Sequence, residues 1–363
     1  MNKLLTVLLV VVVMLTGISG LTFAQEDMEG WTCPEGFEGQ TLRVFNWATY
    51  VAEDTVPNFE DACGVTVEYT EFGSNEEAVN VIRSEASQFD IVVPSGGTIA
   101  EMIRDELLLP LDHDLIPNMA NILPDFLDPP YDPGNAYSIP YQWGTIGIGY
   151  DATIVEEPME SWADFFGYGG RVAWLDDQDA MLGIALLVLG YDPNTLNQDE
   201  VNEAAQWLLE NNQADVYQIA PDTGQDLLVQ GEVDAVVEYS GDIFQLIDEC
   251  ECDDYVYVIP SEGSNVWTDN MAIPFNAPNP DLAHAFIDYI LDAQVGADLS
   301  NYTAYGSPNA ASIPLLDEEL ASDPGIYPSE ETLASSFIAV DKGEEAAQYY
   351  SEAWNLINSE IGQ

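Results

Sequence analysis

TLRVFNW at residues 41–47, VTVEYTEF at 65–72 and FDIVVP at 89–94 read as three β-strands in quick succession. The first and third are mostly apolar runs of strand length, and the second alternates Val65, Val67 and Tyr69 along one face. Between the first two, Val56, Phe59 and Ala62 recur at helical spacing. Between the second and third, Ala78, Val79 and Ile82 do the same over residues 75–86. Strand, helix, strand, helix, strand at this pace predicts a parallel sheet with helices on both faces, an α/β fold.

Upstream lies a secretory pattern. Lys3 precedes an apolar core from Leu4 to Leu15, and Thr22-Phe23-Ala24 supplies small residues for cleavage, so residues 1–24 read as a signal peptide and 25–40 as a lead-in segment. The apolar run is short for a membrane span, and no cysteine follows it to carry a lipid. Export permits disulfides among Cys33, Cys63, Cys250 and Cys252. A Cys33–Cys63 bond would pin the lead-in and Cys250–Cys252 would close a tight loop, but four cysteines allow three pairings.

Downstream, residues 111–141 are rich in Pro, Asp and Asn and read as loop. A second α/β series follows Gly144, with strands at 171–176, 216–219, 233–239 and 255–259 and helices at 180–189 and 200–210. Residues 266–274 are again extended, and 281–291 and 344–357 are helical. The length suits two domains, and no long linker separates the series, which points to two lobes facing a cleft.

The chain carries 65 Asp and Glu against 6 Lys and Arg, a formal charge of −59, yet 47% of it is apolar, enough for packed cores rather than an acidic tail. Nucleic acid is excluded as a partner, because phosphate backbones are bound through Lys and Arg, and small cations fit. Most of the charge reads as a solvated coat. No nucleophile elbow, zinc-protease or phosphate-loop motif occurs, and His113 and His284, the two histidines, lie far from any cysteine. The sequence therefore calls for no enzyme, cofactor or metal. A carboxylate pair suited to a hydrolase carries little weight among so many acids.

Aromatic residues stand beside polar ones where strands end: Trp47 and Tyr50 after the first strand, Tyr239-Ser240-Gly241-Asp242 after another, Trp267-Thr268-Asp269 in a third. Ligands of α/β sheets collect beyond strand carboxyl ends, ring faces attract cations, and an Asp supplies the counter-charge. Each ring taken alone could simply cap a core.

FNWATYV, DIVVPS, YSIPYQWGTIGIGY, SWADFF, VWTDNMAIP and DPGIYPSEE, in this order over nearly the whole chain beyond Thr41, resemble the periplasmic spermidine/putrescine-binding proteins of ABC transporters. The resemblance implies a two-lobe, type II-like periplasmic-binding-protein fold closing by a hinge. Lobe 1 would span 41–144 and 270–310, and lobe 2 would span 145–269 and 311–363. It implies an aromatic wall of Trp47, Tyr50, Tyr239, Trp267 and Tyr305, polar contacts from Ser95, and carboxylates at Asp269, Asp177 and Asp242. Thr49 and Ala180 stand where spermidine binders place acids, and Gly97 replaces an aromatic, which favours a diamine. The implied protein is a monomer in the periplasm or at the cell surface that captures a polyamine and hands it to a membrane permease. Alternatives are another solute on the same fold, such as an amino acid derivative, thiamine or ferric ion, or an exported hydrolase.

Overall fold

Burial alternates at the start of β1 (Thr41–Trp47), as expected of a strand with one face on helices, and then becomes continuous toward its carboxyl end. β1 appears in a computed structural model that describes residues 30–84, 88–211, 215–250, 252 and 254–361. The expected signal peptide, 1–24, lies outside the described residues, as do residues 25–29 of the lead-in. The other strands are β2 (Thr66–Phe72), β3 (Ile91–Val92), β4 (Ser138–Asp151), β5 (Arg171–Leu175), β6 (Asp215–Ala220), β7 (Ala235–Tyr239), β8 (Tyr255–Val258) and β9 (Val266–Ala272).

The strands follow the order β2-β1-β3-β9-β4-β7-β5-β6, with β8 also paired to β4. β1 is parallel to β2 and β3, and β5 is parallel to β6 and β7. The parallel pairing expected of the first three strands is present, and the centre of the sheet adds antiparallel strands. β9 runs antiparallel to β3 and β4, and β4 runs antiparallel to β7 and β8. These two strands carry the chain from one parallel group to the other without a crossover helix, which antiparallel neighbours do not need.

Residues Trp31–Gln363 hold together as one unit. Within it, one set of core clusters draws on residues 42–141 and 271–305, and the other on residues 146–259 together with Phe337, Tyr350, Ala353, Trp354 and Ile357. Tyr239 and Trp267 pack against both sets. The helix Gln178–Leu189 shows how sequence fixes an element here. Asp177 caps it by accepting from the Ala180 N–H at 2.9 Å, the seven consecutive residues from Ala180 to Leu186 are all buried, and Gly190 ends it at φ 80°.

Cys33 is joined to Cys63 and Cys250 to Cys252. The first bond ties the lead-in to the end of the helix Thr55–Cys63. There Trp31 packs on Phe59 and Tyr289 and donates its indole N–H to Asp288 at 2.8 Å.

Candidate functional site

Five segments contribute to one pocket. The turn after β1 brings Trp47, Ala48, Thr49 and Tyr50. Asp222 follows β6, Tyr239 and Asp242 come from the end of β7 and the helix Ser240–Cys250, and Trp267 and Tyr305 complete the lining. Thr49 and Ala304, each directly before a pocket tyrosine, hold φ values of 49° and 56°. Such left-handed conformations in non-glycine residues cluster where a side chain must be aimed.

The rings form a box of edge-to-face contacts. Trp267 meets Tyr305 at 5.0 Å and 75° and Tyr239 at 5.8 Å and 90°, and Tyr50 meets Tyr305 at 5.4 Å and 88°. Gly144 makes the box possible. It pairs with Trp267 in the β4–β9 ladder, and a Cβ there would lie 2.7 Å from the Trp267 ring and 3.0 Å from that of Tyr305. A Cβ on Gly241 would strike the Tyr305 ring at 2.5 Å. Trp47 stands at the edge, its indole N–H held by the Val93 carbonyl at 2.9 Å.

Carboxylates occupy two ends of this arrangement. At one end Asp269 is 5% exposed and accepts from Ser95 Oγ at 2.7 Å, while Asn75 bonds both the hydroxyl and the N–H of Ser95. Burial pushes the Asp269 carboxyl up to about 7, against the opposing effect of Ser95 and of the Tyr50 hydroxyl beside it. That hydroxyl approaches Asp269 without closing a hydrogen bond of normal geometry, and Trp267 Nε1 is likewise buried without a partner. These are groups that a ligand, or a water it carries, can satisfy.

At the other end Asp222, Glu238 and Asp242 place oxygens within 4.8 Å of one another. Tyr305 donates its hydroxyl to Asp242, and Glu238 accepts the N–H of Gly224 at 2.8 Å and of Tyr239 at 3.0 Å. Burial, and then the charge of Asp222, hold the Glu238 and Asp242 carboxyls well above the usual carboxylate range. Burial raises Asp222 to about 6.

The expected ligand residues thus fall into three groups. Trp47, Tyr50, Tyr239, Asp242, Trp267 and Tyr305 line the pocket. Ser95 and Asp269 form a hydrogen-bonded pair beside Tyr50. Asp177 is engaged as a helix cap, half-buried, with burial and then Asp179 raising its carboxyl to about 6. Sequence reasoning missed Asp222 and took Glu238 only as a stand-in for the acids absent at Thr49 and Ala180. Glu238 carries a signal, being the one charge within AVVEY, whereas Asp222 carries none.

None of the five described Lys and Arg residues reaches these carboxylates. Arg43, Arg83, Arg104, Arg171 and Lys342 pair with Glu68, Glu101, Asp105, Asp341, Asp234 and Asp179 instead. A buried anionic pocket with an aromatic lining and no cation of its own is built for a cationic guest.

Comparison with known proteins agrees. Residues 54–328 match the family described as bacterial extracellular solute-binding protein. The chain belongs to this family. Members carry small ligands to a membrane permease, and as one of them the chain is an exported protein with a periplasmic-binding-protein-like α/β fold. It is 32% identical to a putrescine-binding periplasmic protein of Pseudomonas aeruginosa, over 89% of this chain and 93% of the relative. It is 31% identical to a spermidine/putrescine-binding periplasmic protein of Escherichia coli, over 91% and 95%. Among solved structures, a putative spermidine/putrescine ABC transporter protein of Listeria monocytogenes superposes with a TM-score of 0.81 at 33% identity, covering 88% of this chain and 99% of the other.

Proposed function

We propose that this solute-binding protein captures a polyamine between two lobes and delivers it to an ABC permease, without making or breaking a bond. The observation that carries the reading is the pocket's composition: an aromatic box with Asp222 and Asp242 in its lining and Asp269 beside Tyr50, and no cation among the described residues paired with any of them. Ring faces and methylenes exclude water, and each ammonium finds a carboxylate in low dielectric, where an unpaired partner is costly. Two acidic ends suit a diamine. A ligand bearing its own carboxylate would meet only like charge, which disfavours amino acid derivatives.

The separate core sets, joined through β4 and β9, support a division into lobes of 41–144 with 270–310 and 145–269 with 311–363. Trp47 and Tyr50 come from the first, Asp222, Tyr239 and Asp242 from the second, so ligand contact across both favours closure. The protein works as a monomer in the periplasm or at the cell surface.

Calorimetry of the mature protein against putrescine, cadaverine, spermidine, spermine and agmatine tests the reading, with an ω-amino acid of similar length as contrast. Amines should bind, and the ω-amino acid should not. Binding of the amino acid in preference to every amine would overturn it.

A further inference from the structure

The Asp222–Glu238–Asp242 cluster holds more negative charge than one ammonium can balance. Its members come from three places, the turn after β6, β7 itself, and the first turn of the helix Ser240–Cys250, yet their oxygens lie within 4.8 Å. Glu238 is 1% exposed and sits behind the other two, which open onto the pocket. Three charges at this spacing, with no cation among the described residues to pair with them, are not all ionised in the empty site. Asp222 Oδ1, buried within this cluster, has no hydrogen-bond partner among the described residues, so only a proton or a guest can offset its charge. A second observation points to a guest. The Tyr50 hydroxyl, on a residue 4% exposed, closes no hydrogen bond of normal geometry and lies near both Asp242 and Asp269 in the wall of the same pocket.

We propose that this cluster exchanges a proton for the ligand's ammonium. In the empty site the three carboxyls share protons. As an ammonium enters, one O–H proton leaves for solvent, the freed carboxylate accepts an N–H of the ligand, and the charge of the buried site is unchanged. The inference rests on the amine-binding reading above. The other groups facing the cluster reinforce it. Asp226 on the helix Gly224–Val229, Tyr257 on β8, Tyr239 and Tyr305 are acidic or phenolic, as are Asp177 and Asp269, which face Tyr239. None of them stabilises an additional negative charge, apart from the Tyr305 hydroxyl that donates to Asp242. Amine affinity should therefore rise with pH, in step with the protons released.

The test is calorimetry of putrescine binding at pH 8, repeated in buffers of different ionisation enthalpy, which counts protons released per ligand. At pH 8 Asp177 and Asp269, at about 6 and about 7, are already largely ionised, so a released proton comes from the cluster. The expected count is about one proton per putrescine. It should fall by half or more in Asp222→Asn and in Glu238→Gln, each titrated to saturation with putrescine. Putrescine binding with no proton released, or an undiminished count in both variants, overturns the proposal. Should one variant fail to fold, the parent's count and the other variant decide. Failure of every amine to bind the parent would instead defeat the reading on which the proposal rests.

Discussion

The Asp269 end and the Asp222–Glu238–Asp242 end of the pocket stabilise negative charge by different means. Asp269 stands alone, with Ser95 donating to it and Asn75 holding Ser95 in place, so its charge is met by a fixed dipole. The triad has a single hydroxyl donor, Tyr305, and two backbone N–H groups for three carboxyls. Its surplus is left to protons or to a guest. The difference teaches that counting acids does not count charges. One isolated, hydrogen-bonded carboxylate is a firmer anchor than three that compete for the same protons.

Removing the anchor should therefore cost most. Asp269→Asn leaves an ammonium without its buried partner, a loss of about 3–5 kcal/mol, and amine affinity measured by calorimetry should fall by a hundredfold or more with the circular dichroism spectrum unchanged. Trp267→Ala strikes both ends at once. It removes apolar burial and a cation–π contribution of about 0.5–2 kcal/mol, so affinity should drop roughly tenfold. If Trp267 served only as a core cap, the melting temperature would fall and affinity would hold.

Ser95→Ala separates the two ends more finely. Without its donor, Asp269 becomes harder to ionise, so the rise of affinity with pH should shift upward. The loss should be roughly tenfold at pH 7 and smaller at pH 9, where the carboxyl ionises regardless. An unshifted pH profile would detach Ser95 from the charge of Asp269. The smallest effect is on the free protein's stability. Asp177, Asp222 and Asp269 hold protons in the folded state that the unfolded chain gives up above about pH 4. Stability should then decline as pH rises toward about 7, while the stabilisation conferred by putrescine grows over the same range. Melting temperatures with and without putrescine from pH 5 to 8 check both trends.

Much of the fold was legible because its signals are local. The helix Gln178–Leu189 announces itself as an apolar run between an Asp cap and a glycine stop, and β1 and β2 as apolar and alternating segments. The start of β4 read as loop for an equally physical reason. Pro140 and the glycines at 144, 147 and 149 look like strand breakers, but the glycines make room for rings and branched chains from elsewhere, Tyr257 at 2.6 Å of a Cβ on Gly147 and Ile243 at 2.5 Å of one on Gly149. The sequence shows the gaps and hides what fills them. The aromatic wall was legible from strand-end clusters. Asp222 was not, because nothing in a lone acid among 65 says that it will meet Glu238 and Asp242.

β4 has one more consequence. Thirteen of its fourteen residues are buried, its first half is laddered to β9 and its second to β7 and β8. Melting either half of the sheet strips partners from the same strand, so neither half can lose its structure and leave the other's ladder whole. Heat should therefore take the protein apart in a single cooperative step rather than two. The backbone amides of residues 141–150 should be among the last to exchange with deuterated solvent, on the timescale of global opening.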